Sequence, residues 1–487
     1  MQDRRTGAHV PRMAVESREM RREVVAAASA PPRDGGVAGI VFYHPPALAR
    51  LPPRGCGGRS LSAGFRHPVP VVPHVSKVAQ HSTERDDGAD RVAPPEPGDG
   101  DAVGPVLIVT PWYGGNLGGV AVSVSGLVGA LRRVGVPSVV YQLDVPNRWP
   151  AWRTGDHGET ILSLGVRGPS AARGGIKQRL GYWQRRLTLL VTLARMVRRE
   201  RITAIHLHYC VPEFDTVREV ARALGVPLIT TFRGSEIHQF ADDPALGGPL
   251  RRIIRDAVAV TTVSDGLRRT LLERVPEAAE KAVVIRNAVP LAYWDRERDE
   301  PGTEGRDIDV LFCGNLLPVK GPDILLEAWR SVHARVPSAR LVFVGSGPLE
   351  ERLRALVAEW KLDGVVTFAG RVDRSDVASY YRRARIAVLP SRGEGLPLTA
   401  LEATLVGTPV VGAAVGGVPE VLGDDESGIL VPPENPSALA DALVDLLVNE
   451  ERRARLGRDA RARTLLMFDP LAMARRYAAL YATVSRR

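Results

Sequence analysis

The chain has 487 residues, 44% of them hydrophobic, with a formal net charge of +10 and a pI of about 9.8. That length allows two or three domains with large cores. No apolar run reaches the ~18 residues of a membrane-spanning helix, and three scattered cysteines with no CxxC pair argue against a disulfide framework and fit a reducing, cytoplasmic setting.

Of the 65 basic residues only Lys77, Lys177, Lys281, Lys320 and Lys361 are lysines. The excess charge favours anionic partners such as phosphates or a membrane surface. Nucleic acid is disfavoured, because the arginines form no recognised binding module. Residues 1–104 are rich in Pro, Gly, Arg and Asp and lack periodicity, so a disordered N-terminal extension is expected there. It is arginine-rich but has no continuous apolar segment of signal-peptide type, Val24–Ala30 being the nearest approach. Alternatively the true start lies later and part of this segment is not made. An intact native mass matching all 487 residues would refute that.

At Val106 the pattern changes. VLIVT (106–110) reads as a strand, PWYGGNLGG as a glycine loop, and VAVSVSGLVGALRRVG as a helix stopped by Gly135. Strand-type runs follow at 137–144, 205–209, 227–232, 257–264 and 282–289, most of them separated by helical segments. A second series occupies 309–314, 341–347, 365–370, 386–390, 409–414 and 428–433, with helices near 321–334 and 348–360. Alternating strands and helices predict parallel sheets in an α/β class. The expected division is an N-terminal Rossmann-like domain over 105–292, a charged linker over 293–307, a C-terminal Rossmann-like domain over 308–465 and a terminal helix over 466–487. Two such domains leave a cleft between them, a common ligand site.

SRGEGLPLTALEATLVGTPVV (391–411) carries Glu394 and Glu402 seven residues apart. The preceding run is a buried strand, Ser391–Leu396 is the loop at its carboxyl end, Pro397 suits a first helical turn and Gly407 a stop. Free N–H groups around Gly395–Leu398 would favour an anion there. The two carboxylates would accept hydrogen bonds from hydroxyls spaced along one ligand. A helix charge plus an ordinary salt bridge explains the same text about equally well.

The longer stretch PSRGEGLPLTALEATLVGTPVVGAAVGGVPEVL…SGILVPP resembles the signature of family 4 glycosyltransferases. VGSGP (344–348) and GNLLPVKGPDILLEAW (314–329) match in order ahead of it, and the resemblance spans about 105–487. It implies a GT-B fold, with the terminal helix crossing back to the N-terminal domain. It implies retaining transfer from a UDP- or GDP-sugar with neither metal nor cofactor. Glu394 would bond the donor sugar, Glu402 the ribose hydroxyls and Lys320 the diphosphate, while the leaving phosphate takes the acceptor's proton. The acceptor is left open as lipid-linked, glycan or small molecule.

Three positions, in two segments, depart from the family. Asn315 stands where the family usually has Arg, so diphosphate binding would lean on Lys320 and Arg371. Arg233 of TTFRGSEIHQF stands where the family often has His, and Glu236 where it has Asp. Arg233 would then reach the diphosphate or a charged acceptor group. Gly118 and Gly119 match the family's donor and acceptor loop, and their spacing does not fit the G-x-G-x-x-G of dinucleotide binders. The loop near Gly345–Gly347 would meet the base.

His206, His208 and Cys210 alternate along one strand and would share a face, as in a metal site. The reading preferred here is a strand end lining the cleft, with His208 and Glu236 on the acceptor side. Residues 173–201 hold nine basic residues and one acid, with an apolar stripe through Trp183, Leu187, Leu190, Val191 and Ala194. Either this is a packed Rossmann helix with a solvated arginine face, or it makes peripheral contact with an anionic membrane, at the inner face of the plasma membrane for a cytoplasmic protein. A nucleotide-sugar epimerase or isomerase of the same architecture and a non-catalytic sugar-nucleotide binder are the alternatives to a transferase.

Overall fold

The computed structural model describes residues 103–486 except 115–117, 144–148, 166–174, 235, 238–246, 299–304 and 424–425. The expected N-terminal extension therefore lies almost wholly outside the described residues. Both sheets described here belong to one compact unit.

The first half runs β1 (Val106–Thr110), α1 (Gly119–Arg133), β2 (Ser138–Gln142), β3 (Ala151–Thr154), β4 (Thr160–Ser163), α2 (Ile176–Arg199), β5 (Ala204–His208), α3 (Asp215–Leu224), β6 (Leu228–Phe232), α4 (Gly247–Asp256), β7 (Ala259–Thr262), α5 (Asp265–Arg274) and β8 (Ala282–Val284). The strands form one eight-stranded sheet in the order β3-β4-β2-β1-β5-β6-β7-β8. All neighbours are parallel except β3 against β4. The β3–β4 ribbon has no counterpart in the sequence reading. Its outer strand AWRT is exposed throughout and lacks a clean alternation. By contrast β1, β5 and β6 are buried at every position, as strands covered on both faces must be.

The second half continues α6 (Leu291–Glu297), β9 (Ile308–Cys313), α7 (Pro322–Arg335), β10 (Leu341–Val344), α8 (Glu350–Glu359), β11 (Val366–Gly370), α9 (Arg374–Arg383), β12 (Ala384–Leu389), α10 (Leu398–Leu405), β13 (Val410–Ala413), α11 (Val418–Leu422), β14 (Ile429–Val431), α12 (Pro436–Val448), α13 (Glu450–Met467) and α14 (Pro470–Ser485). Its six-stranded sheet, β11-β10-β9-β12-β13-β14, is wholly parallel. The stretch read as a linker begins inside α6. Leu291, Tyr293 and Trp294 are buried there, and so is Glu297, which pairs with Arg382, while Asp295 and Arg296 lie on the exposed face.

The terminal helix α14 crosses back to the first sheet, as the resemblance implies. Met473, Ala474, Tyr477 and Tyr481 share a core with Val106, Ile108, Val124 and Leu127. Tyr481 also bonds the His206 ring at 2.7 Å, so its hydroxyl is not left bare inside the protein. Burying side chains of this size stabilises by roughly 2–3 kcal/mol each, enough to tie the chain's end to its first strand.

In each sheet the strand order reverses beside the first strand, between β1 and β5 and between β9 and β12. Ligands of open α/β sheets sit outside the carboxyl ends at such points. No helix among the described residues is long and apolar enough to cross a membrane.

Candidate active site

The carboxyl end of β12 opens into the loop that carries Glu394. The Lys320 ammonium donates to both Glu394 oxygens, at 2.7 and 2.8 Å, and the Ser391 hydroxyl donates to one of them at 2.7 Å. Glu394's side chain is 7% exposed and that of Lys320 34%. Lys320 reaches it because Gly321 follows. Its φ is +63°, and a Cβ there would lie 2.1 Å from the Pro390 carbonyl oxygen, so only glycine lets the two loops abut. Arg392 fixes the same junction with a forked pair to Asp323 at 3.0 and 2.7 Å. Lys320 and Glu394, assigned to different parts of a donor from the sequence, are thus bonded to each other.

Glu402 lies one turn into α10 and is wholly buried. One carboxylate oxygen accepts from Arg374, whose guanidinium also sits 5.7 Å from the Tyr293 ring centre. The other oxygen has no hydrogen-bond partner. A buried carboxylate with one bare oxygen is costly, and a hydroxyl donor would relieve it. Arg374 was not found by sequence reasoning, because an arginine opening a helix after a glycine turn carries no distinguishing mark.

Across the cleft, Arg233 follows β6. Its guanidinium donates to the Ser123 hydroxyl at 2.5 Å and lies 3.0 Å from His208 Nδ1, with the Asn287 amide oxygen at 3.5 Å. Its Nε is buried and unpartnered. Among the described residues no carboxylate bonds this cation. Burial pulls its pKa down, with Tyr477, Glu236 and Tyr481 opposing.

His208 and Glu236, expected on the acceptor side, are both wholly buried. Burial, with His206 and Arg233 nearby, holds the His208 ring far below the usual histidine range and so neutral. Its Nδ1 then accepts from Arg233, while Nε2 has no partner. Glu236 accepts the Arg233 backbone N–H, and burial pushes its carboxyl up to about 7. Both groups therefore support Arg233 from beneath. The alternation of His206, His208 and Cys210 on this strand is taken up by packing and hydrogen bonds. His206 spends both nitrogens on Tyr481 and Thr231, and no group of His, Cys, Asp and Glu among the described residues is arranged for a metal. Ser123 and Asn287 bond each other at 2.7 Å and complete a neutral shell that no motif announced.

The two halves meet at the Glu394 loop. A Cβ on Gly395 would stand 1.8 Å from the Arg233 carbonyl oxygen, and one on Gly234 3.2 Å from the Gly395 nitrogen. The Gly395 carbonyl accepts from Ser264 Oγ at 2.8 Å and from the Gly417 N–H at 2.9 Å. Leu396 is buried beside Gly417, and Pro397 occupies the capping position before α10. A Cβ on Gly119 would meet Leu398 at 3.9 Å, so the glycine loop at the start of α1 faces the start of α10. Gly118, with φ of +98°, caps α1 from that loop.

Other expected residues stand further out. Asn315 is exposed on the loop after β9. Gly347 packs on the Leu316 backbone, which would be 2.5 Å from a Cβ. Arg371 is exposed beyond β11, the outermost strand of its sheet.

Known proteins give the same picture. Residues 295–463 match the family described as glycosyl transferases group 1, and residues 117–293 match glycosyltransferase family 4. The chain is 27% identical over 306 residues to the N-acetyl-alpha-D-glucosaminyl L-malate synthase of Bacillus anthracis, covering 62% of this chain and 80% of that one. It is 29% identical over 373 residues to a D-inositol 3-phosphate glycosyltransferase of Pseudarthrobacter chlorophenolicus, covering 72% and 86%. Among solved structures, the catalytic domain of starch synthase IV from Arabidopsis thaliana superposes with a TM-score of 0.61 at 16% identity, over 80% of this chain and all (100%) of that one. Sucrose-phosphate synthase from Thermosynechococcus elongatus gives 0.60 at 22% identity, over 78% and 98%. Two Rossmann-like halves, a helix returning to the first sheet and family matches on both halves lead to one conclusion: the chain belongs to the group 1, family 4 glycosyltransferases, enzymes of the GT-B fold.

Proposed function

We propose that the chain transfers a sugar from a nucleotide-diphosphate donor, a UDP- or GDP-sugar, to an anionic acceptor with retention at the anomeric carbon. The observation that carries this reading is the bare, buried oxygen of Glu402, eight positions along from a Glu394 held against Lys320. A ribose hydroxyl supplies the donor that Glu402 lacks. The diphosphate competes with Glu394 for the Lys320 ammonium, which frees Glu394 to accept from the sugar's hydroxyls. Negative charge grows on the departing diphosphate as the C1–O bond breaks. Lys320 and the N–H groups at the start of α10 offset it, and donors already in place cost no reorganisation.

The acceptor hydroxyl forms its bond to C1 on the face the diphosphate leaves, and its proton passes to a leaving phosphate oxygen. No protein base is then required, and no metal or other cofactor enters the reading. Arg233, a cation with neutral bonding partners, favours an acceptor bearing a phosphate or carboxylate. The acceptors named for the two relatives, inositol 3-phosphate and L-malate, support that class.

The test begins with a thermal-shift series of UDP, GDP, ADP and TDP, followed by the sugars of whichever binds. NMR of the product with inositol phosphates and hydroxy acids as acceptors then reads the anomeric configuration. An α-linked product from an α-linked donor is expected. An inverted product, or epimerised donor without transfer, would refute the reading.

A further inference from the structure

We infer that the outward face of α2 is a docking surface for an anionic lipid membrane. The helix has 24 residues, about 36 Å, whereas a five-residue strand of its sheet spans roughly 17 Å. Its buried residues, Leu189, Leu193, Met196 and Val197, all fall in the second half. The first half runs past the sheet and is held from one side by Arg186, which bonds Thr216 and Glu219 of α3. Because the helix returns antiparallel to β4 and β5, the overhang lies at the carboxyl edge of the sheet, the edge from which Arg233 and His208 serve the cleft.

That overhang is apolar on its outer side. Ile176, Leu180, Trp183 and Leu187 recur at spacings of four, three and four, which places them on one face, and they are 85, 69, 57 and 63% exposed. This face is turned well away from the one that packs on the protein. The second half is packed on the protein, and of the stripe read from the sequence Leu190 and Ala194 are half-buried, while Trp183 and Leu187 stand in solvent with Ile176 and Leu180.

Charge selects the occupant. The helix carries seven basic residues and no acid, and Lys177, Arg179, Arg195 and Arg198 are exposed. A second copy of the chain would set this charge against itself, while a membrane with acidic headgroups is complementary to it. An amphipathic helix with an outward Trp and a basic flank is the form that lies in a lipid interface.

The experiment is flotation of the full chain with vesicles of phosphatidylcholine alone and with added phosphatidylglycerol, at low and high salt. The full chain should float with the acidic vesicles only, and high salt should weaken it. The double variant Trp183→Glu, Leu187→Glu should lose binding about tenfold or more. Its melting temperature should be unchanged, since both side chains are exposed. Failure of the unaltered chain to float, or flotation of the double variant at the unaltered level, would overturn the inference. So would a dimer in solution that the double variant turns into a monomer, which would assign the stripe to self-association.

Discussion

The two halves of the cleft hold their cations in opposite ways. In the C-terminal half Lys320 is closed on Glu394, and its charge is cancelled at 2.7 Å. In the N-terminal half the Arg233 guanidinium is bonded, among the described residues, by a hydroxyl, an amide oxygen and a neutral imidazole. The nearest carboxylate, Glu236, is turned to the backbone and pushed up to about 7, so it is only partly charged near neutrality. On the proposed function, the C-terminal half would act as a switch that exchanges one anion for another when donor arrives, and the N-terminal half as a standing positive field that chooses among acceptors.

The strongest way to break this comparison is to remove the switch. Lys320→Ala should lower kcat by about 10²–10³, the usual scale for losing a fixed donor to developing charge. Steady-state kinetics would show it, and a change confined to donor KM would mean that Lys320 serves ground-state binding alone. Next comes the contact that sets the halves together. Gly395→Ala places a methyl against the Arg233 carbonyl and must spread the cleft. A shift of about 1 Å can cost 10²-fold in kcat/KM, and small-angle scattering should show a more open chain.

The Glu236 carboxyl gives a pH test of the N-terminal half. Its folded value of about 7 lies above its ordinary 4.5. The unfolded chain therefore gives up this proton first, and the contribution to stability, full below pH 4.5, is lost as pH rises through 7. Glu236→Gln keeps the acceptor oxygen and removes the titration. The difference in unfolding free energy between the two proteins should change by on the order of 2–3 kcal/mol from pH 4 to 8. A constant difference would place the carboxyl in a wetter setting than the structure gives it. The smallest effect is expected of Arg233→Gln, which should raise the KM of an anionic acceptor about tenfold while leaving nucleotide affinity alone. A matching loss of nucleotide affinity would move Arg233 to the diphosphate.

Much of this was legible in the sequence. The buried parallel strands announce themselves as short apolar runs, and α10 as Pro397 before an apolar stretch closed by Gly407, whose φ is +74°. The positions of Glu394 and Glu402, loop and helix, follow from that same reading. Side-chain partners were not legible, because they are set by neighbours distant in the chain. Lys320 meets Glu394 across 74 positions, Arg233 meets Ser123 across 110, and Arg374 meets Glu402 from another helix. β3 escaped because an exposed edge needs no hydrophobic pattern, and β4, though mostly buried, because it is only four residues long. The helix at the start of the charged stretch was not legible, because the burial of Glu297 depends on Arg382, which is distant in the chain.

The most direct test is calorimetric titration of nucleoside diphosphates into the unaltered chain and into Glu402→Gln. One diphosphate should bind per chain, with affinity at least about tenfold weaker in the variant, because Gln cannot hold Arg374 by charge while accepting from a ribose hydroxyl. Equal affinity in the two proteins, or no diphosphate bound by either, would contradict it.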